Sequence, residues 1–194
     1  MSRERNPTRD RILKSAIALL EAGEASAVRM SDIAKASKIS RQAVYLHFPN
    51  RAELLIAAAR YLDEINDVEA KLIASRSAPT GRGRLAEWIT AWGNYIPTVY
   101  GMSKALLAMK ETDAEARAAW DDRMGAVRDG CRAVARDLSR DGELAAHLTV
   151  DDATDLLFIM VSVRSWEQCC VEFGWTQDRY IAVLQEACLR ALVQ

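Results

Sequence analysis

The sequence lacks any apolar run near the roughly 18 residues that cross a bilayer. Its start, MSRERNPTRDR, is charged and leads straight into an amphipathic pattern, without the apolar stretch of a signal peptide. A soluble, cytoplasmic protein is expected. Histidine is scarce, with two in 194 residues, and the four cysteines stand at 131, 169, 170 and 188. They form no CxxC pair and no Cys/His spacing suits zinc, so neither a metal nor a cofactor is expected. Buried free thiols are the simplest reading of Cys131, Cys169, Cys170 and Cys188, with a redox-sensing pair as the alternative. Catalytic signatures are missing too: no HExxH, no GxSxG, no ExxH pair and no phosphate-cradling Gly-rich loop. An enzyme is therefore not expected. Clean alternation of apolar and polar residues, the mark of a half-buried strand, is also absent.

What the chain does have is apolar mass and a lopsided charge. Hydrophobic residues make up 50% and charged residues 27%, enough for a sizeable core in one domain or two small ones. The net charge of −1 hides an asymmetry. Residues 1–60 hold 11 Lys and Arg against 6 acids, or +5, which leaves 15 against 21, or −6, for the remainder. A basic head on an acidic body points to a polyanionic partner for the head, unless the imbalance is a chance fluctuation of solvated charge.

Helical periodicity runs nearly throughout and predicts an all-α chain of about nine helices. Residues 8–22 carry Ile12, Leu13, Ala16, Leu19 and Leu20 on one face, and Gly23 stands where a C-cap belongs. Residues 30–37 read as a short second helix, broken by SKIS. Ser40 can cap a third at 41–47, and Pro49 and Asn50 end it and open a fourth, from Arg51 to about Arg76. The stretch SAPTGRG at 77–83 is a loop. Two or three helices are expected at 84–111 with breaks near Pro97 and Gly101. Another is expected at 113–140, a strongly apolar one at 150–173 stopped at Gly174, and a last one at 177–193.

Two short helices joined by a tight turn make a helix-turn-helix, whose second helix enters the major groove. Val44 and Phe48, at i and i+4, can pack it onto its neighbours. Its other residues are of the kind that reads bases: Arg41 can grip guanine O6 and N7, and Gln42 can pair with adenine N6 and N7. Tyr45 and His47 lie further along, within reach of phosphates or a thymine methyl; Tyr45 fits a packing role as well. Arg51 opens the next helix, beside a phosphate. Arg3, Arg5 and Arg9 would add sequence-blind attraction to the backbone.

The stretch MSDIAKASKISRQAVYLHFPNRAELL resembles the DNA-binding segment of the TetR family of bacterial transcriptional repressors. The resemblance rests on Ile33-Ala34, Tyr45, Phe48, Arg51 and Leu54-Leu55, and covers about residues 8–56. It implies a homodimer on a palindromic operator of double-stranded DNA, and a C-terminal body that binds a small molecule and releases DNA. Two positions depart from the pattern. Lys38 stands where the turn usually has Gly, and a left-handed Lys costs on the order of 1 kcal/mol. Arg29 stands where Ser or Thr is usual, so the second helix is weakly capped or starts at Ser31. Arg29, Ser31, Ser40, Arg41, Gln42, Tyr45, His47 and Arg51 are the candidate DNA-binding residues. The expected domains are 1–55, the DNA-binding head, and 56–194, the ligand-binding and dimerisation body.

In the body, the helix at 150–173 is apolar on almost every side and so calls for burial all round. With the stripe Ile181, Leu184, Cys188 and Ala191 on the last helix, it suits a four-helix interface between two copies of the chain, or a monomer core. Trp88, Trp92, Tyr95, Met102, Met109, Trp120, Met124 and Trp166 are candidates to line a cavity for an apolar or aromatic effector; ordinary core packing is the competing reading for each. A ligand-responsive repressor is the leading expectation. A constitutive or thiol-switched DNA binder without a small-molecule ligand is the alternative.

Overall fold

Asn6 supplies the first helix cap. Its side-chain oxygen accepts from the Thr8 and Arg9 amides at 3.1 and 3.2 Å, and Pro7 takes the first helical position, where no donor is needed. Helix α1 (Pro7–Glu21) follows in a computed structural model that describes residues 6–22 and 28–194. The expected Gly23 cap and the tail residues Arg3 and Arg5 lie outside the described residues. Next come α2 (Met30–Ala36), α3 (Arg41–His47) and α4 (Arg51–Ile65). Helix α1 packs on α2 and α4, and α2 on α3. Ile12, Leu13, Ile33, Val44, Leu54 and Leu55 are wholly buried among them.

The turn between α2 and α3 has the left-handed residue that the sequence suggested, and it is Lys38, at φ 55°. Around it the Lys38 amide donates to Lys35 O and the Ile39 amide to Ala34 O, both at 3.1 Å, which is a Schellman closure. The buried Ser37 hydroxyl donates to Ile33 O at 2.5 Å, a carbonyl that also accepts the Ser37 amide at 2.8 Å. At the other end α2 begins at Met30, with Arg29 as an extended N-cap. Asp32 accepts the Arg29 amide at 3.1 Å. An arginine side chain has no acceptor to offer in return, so only half of a capping box exists there.

The expected long fourth helix is shorter than its periodicity suggests. It ends at Ile65, because Asp67 turns left-handed (φ 50°, ψ 52°) and the chain restarts as two short helices, α5 (Val68–Lys71) and α6 (Ile73–Ser77). The described chain divides into two compact units: Met1–Asn66 with Val99–Arg123, and Asp67–Thr98 with Met124–Gln194. Two long helices, α7 (Gly81–Met109) and α8 (Ala114–Arg140), contribute segments to both.

Two further expectations are corrected. Helix α7 does not break at Pro97 or Gly101. Proline has no N–H to give to the carbonyl four residues earlier, but Gln177 Nε2 donates to that carbonyl, Gly93 O, at 2.7 Å. Gln177 Oε1 in turn accepts from Trp166 Nε1 at 2.9 Å. The close approach needs glycine, since a Cβ at position 93 would sit 2.9 Å from Ile181 Cγ1. The expected single helix at 150–173 is three pieces: α9 (Val150–Met160), a one-turn α10 (Val163–Trp166), and a π-helical turn Glu167–Glu172. Ser162 opens the break by capping Ser165 N–H at 3.1 Å, while the Val161 carbonyl accepts Trp92 Nε1 at 2.7 Å. Gly174, at φ 67°, leads to α11 (Gln177–Leu192), which packs on α9. Leu144 and Val193 form an isolated β-bridge, and no strand occurs among the described residues. Burial of α9 is one-sided: Ala153, Thr154 and Leu157 are covered, while Leu156 and Ile159 are 39% and 63% exposed.

Candidate DNA-recognition surface

Helix α3 is anchored by Val44 and Phe48, at 0% and 3% exposure. At about 100° per residue, the positions opposite that pair are 42 and 46. Gln42 is accordingly exposed, and Leu46 is 82% exposed. Ser40 caps the helix by accepting the Ala43 amide at 3.1 Å. Arg41 Nη2 donates to the Tyr45 hydroxyl at 3.2 Å, and the guanidinium lies 5.5 Å from the ring centre. The hydroxyl raises the guanidinium pKa further. These two form a joined pair on one flank of the exposed face, with Tyr45 40% exposed. Arg29 and Ser31 are exposed at the start of α2.

His47 sits on the opposite flank, half-buried. It lines a groove of about 350 Å³ with Arg9, Phe48, Glu53, Arg60 and Tyr61. Arg9, expected to add attraction to the DNA backbone, lies on α1 and stacks 5.0 Å over the Phe48 ring.

Arg51 is turned inward, which does not fit the phosphate contact expected of it. Its Nε donates to Val28 O, and Nη1 pairs with Asp113 at 2.7 Å and with Glu115 at 3.4 Å. Its side chain is only 12% exposed. Burial alone would raise the Asp113 carboxyl. The Ala116 amide, the Arg51 guanidinium and the Glu115 amide outweigh that and hold it below its ordinary value. Further along α4, Arg60 pairs with Asp122, and Asp63 and Asp122 both pair with Arg123.

The eight candidate effector-lining residues divide between the units. Trp88, Trp92, Tyr95, Met124 and Trp166 fall in the second, and Met102, Met109 and Trp120 in the first. Trp88, Tyr95, Met102, Met109 and Trp166 are buried; Trp92, Trp120 and Met124 are half-buried. Four of the second-unit residues have packing tasks there. Trp88 lies against the bare backbone of Gly130, where a Cβ would come 2.1 Å from the indole. Trp92 and Trp166 donate the bonds described above, and the Trp92 and Tyr95 rings stand 6.2 Å apart at 56°.

The four cysteines are free thiols. Burial pushes Cys131 and Cys188 up to about 12. Cys169 and Cys170 lie half-buried on the π-helical turn. Among the described residues no helix is long and apolar enough to cross a membrane.

A capped, outward-facing helix joined to its predecessor through a tight turn is the DNA-binding helix-turn-helix class. Residues 12–58 match the family model of bacterial regulatory proteins, tetR family. Solved structures of the same fold cover nearly the whole chain. A TetR-family transcriptional regulator from Rhodococcus sp. is 20% identical over 96% of this chain and 98% of its own, with a TM-score of 0.74. A transcriptional regulator from Saccharomonospora viridis in complex with choline is 16% identical over 96% and 97%, with a TM-score of 0.73. The transcriptional regulator FadR from Bacillus subtilis, in complex with stearoyl-CoA, is 15% identical over 92% and 96%, with a TM-score of 0.74. No curated protein matches. Residues 12–58 thus carry the DNA-binding segment of the tetR family of bacterial regulatory proteins, and the chain has the all-α fold of solved TetR-family regulators.

Sequence reasoning passed over Leu46. The signal was there, because the same helical arithmetic that pairs Val44 with Phe48 puts Leu46 opposite them.

Proposed function

We propose that the chain acts as a homodimeric, ligand-responsive repressor of a palindromic operator, reading bases through Arg41 and Gln42. The observation that carries the reading is the exposed face of α3, where Gln42 stands clear of the packing pair and Arg41 is held by Tyr45. Arg29, Ser31, Ser40, Tyr45 and His47 are assigned to the rim of the contact. Residues 1–55 serve as the DNA-binding head and 56–194 as the body that dimerises and binds effector. A twofold dimer would place two such helices about one turn of duplex apart. The exposed Leu156 and Ile159 on α9 and Val183 on α11, 45% exposed, support pairing of these helices with those of a second copy.

The aromatic and methionine side chains from Trp88 to Trp166 support an apolar or aromatic effector. That proteins of the same fold bind choline and stearoyl-CoA supports a small-molecule effector, though not its apolar character. An effector that favours one conformation of the body would lower operator affinity by the coupling energy, commonly about 1–3 kcal/mol.

Selection of bound duplexes from a random pool tests the reading. A palindromic enriched site is expected, bound by a particle of twice the chain's mass. Arg41→Ala should weaken that site by about 1–3 kcal/mol and relax preference at one base position. No enrichment, or a monomer indifferent to duplex DNA, would overturn it.

A further inference from the structure

The most exposed large apolar side chain among the described residues lies on the outer face of α3. Leu46 is 82% exposed on α3, directly opposite the buried Val44 and Phe48. Gln42, one turn earlier, shares its face, and Tyr45 flanks it at 40% exposure. Within α3 it has no packing task, since Val44 and Phe48 anchor the helix. An aliphatic chain left in water gains by meeting an apolar group. In the major groove the apolar group that a base pair presents is the C5-methyl of thymine.

We propose that Leu46 is a specificity-determining residue that reads a thymine methyl beside the base contacted by Gln42. The proposal rests on the helix-turn-helix reading above and deepens it. Residues i and i+4 on a helix lie about 6 Å apart along the axis, so both side chains can reach neighbouring base pairs of one half-site. Gln42 supplies the hydrogen bonds to one base. Leu46 supplies shape and dryness at the next, favouring thymine over cytosine because cytosine has no methyl there and offers an amino donor that leucine cannot use.

The experiment uses the full chain and the operator enriched from a random duplex pool. Each thymine of one half-site is replaced in turn by deoxyuridine, which keeps every hydrogen-bonding group and removes only the methyl. For the parent protein, one replacement should weaken binding by about fourfold, the factor that burial of one methyl supplies. For Leu46→Ala, binding to the parent operator should fall by a similar factor, and the same replacement should then make no difference. Because Leu46 is exposed, its thermal unfolding midpoint should stay unchanged. The inference is overturned if the enriched half-site holds no invariant thymine, if every uracil operator binds the parent protein equally well, or if the methyl effect persists undiminished in Leu46→Ala. Failure of the parent chain to bind any duplex would instead bring down the DNA-binding reading itself, and this inference with it.

Discussion

Arg51→Ala separates two roles that one residue cannot fill together. A phosphate-gripping arginine would leave the fold indifferent to its removal and would show in the salt dependence of DNA binding. The structure uses the guanidinium inside the first unit, on Val28 O, Asp113 and Glu115. At 12% and 27% exposure the Arg51–Asp113 pair is screened less than a surface pair, so its removal costs more than the usual surface value. Removing it also leaves the Val28 carbonyl and a half-buried carboxylate short of a donor. A loss of about 2 kcal/mol follows, in the range for hydrogen bonds to charged groups. For a chain of this size that lowers the unfolding midpoint by about 4–8 °C. The variant should keep the parent's slope of log affinity against log salt.

The effect has a pH window. The Asp113 pKa is lowered in the folded chain, so its contribution is complete above the unfolded value, about 4, and is lost as pH falls through the lower folded value. The gap between parent and variant should therefore be widest at neutral pH and narrow in acid. Thermal denaturation at several pH values, with DNA titrations at several salt concentrations, gives the answer. An unchanged midpoint together with a flattened salt slope would refute the internal assignment and restore the phosphate contact.

Three further outcomes are expected. Lys38→Gly should relieve the left-handed strain and raise stability by about 0.5–1 kcal/mol, measured by urea unfolding; a loss would mean that the Lys38 side chain contributes more than its backbone costs. Gln177→Ala should lower stability by about 2 kcal/mol, since it strips partners from both Gly93 O and Trp166 Nε1, while Gln177→Glu should recover only the acceptor half. Cys131 and Cys188, pushed up to about 12 by burial, should resist a thiol reagent at pH 8 until the chain unfolds, whereas Cys169 and Cys170 should react in the native state. Fast native labelling of Cys131 or Cys188 would count against their burial.

The head was legible from sequence because its signals are local. Asn6, Ser40 and Asn50 cap backbone donors two or three residues away, and Val44 and Phe48 share a face by periodicity alone. The left-handed turn at Lys38 was suggested instead by the family resemblance, whose pattern usually has Gly there. What tertiary structure decided are the cases where a distant partner changes the local outcome. Pro97 should have broken α7, but Gln177, 84 residues beyond Gly93, gives the Gly93 carbonyl the donor that proline lacks. The helix after Thr149 should have run on, but Ser162 caps a new turn, and the Val161 carbonyl is held by Trp92, 69 residues earlier. Arg51 looked free for a phosphate until Asp113, 62 residues away, was seen to occupy it. Caps and periodicity are written within a turn or two of chain, whereas the fate of an unpaired donor or acceptor depends on what the folded chain brings beside it.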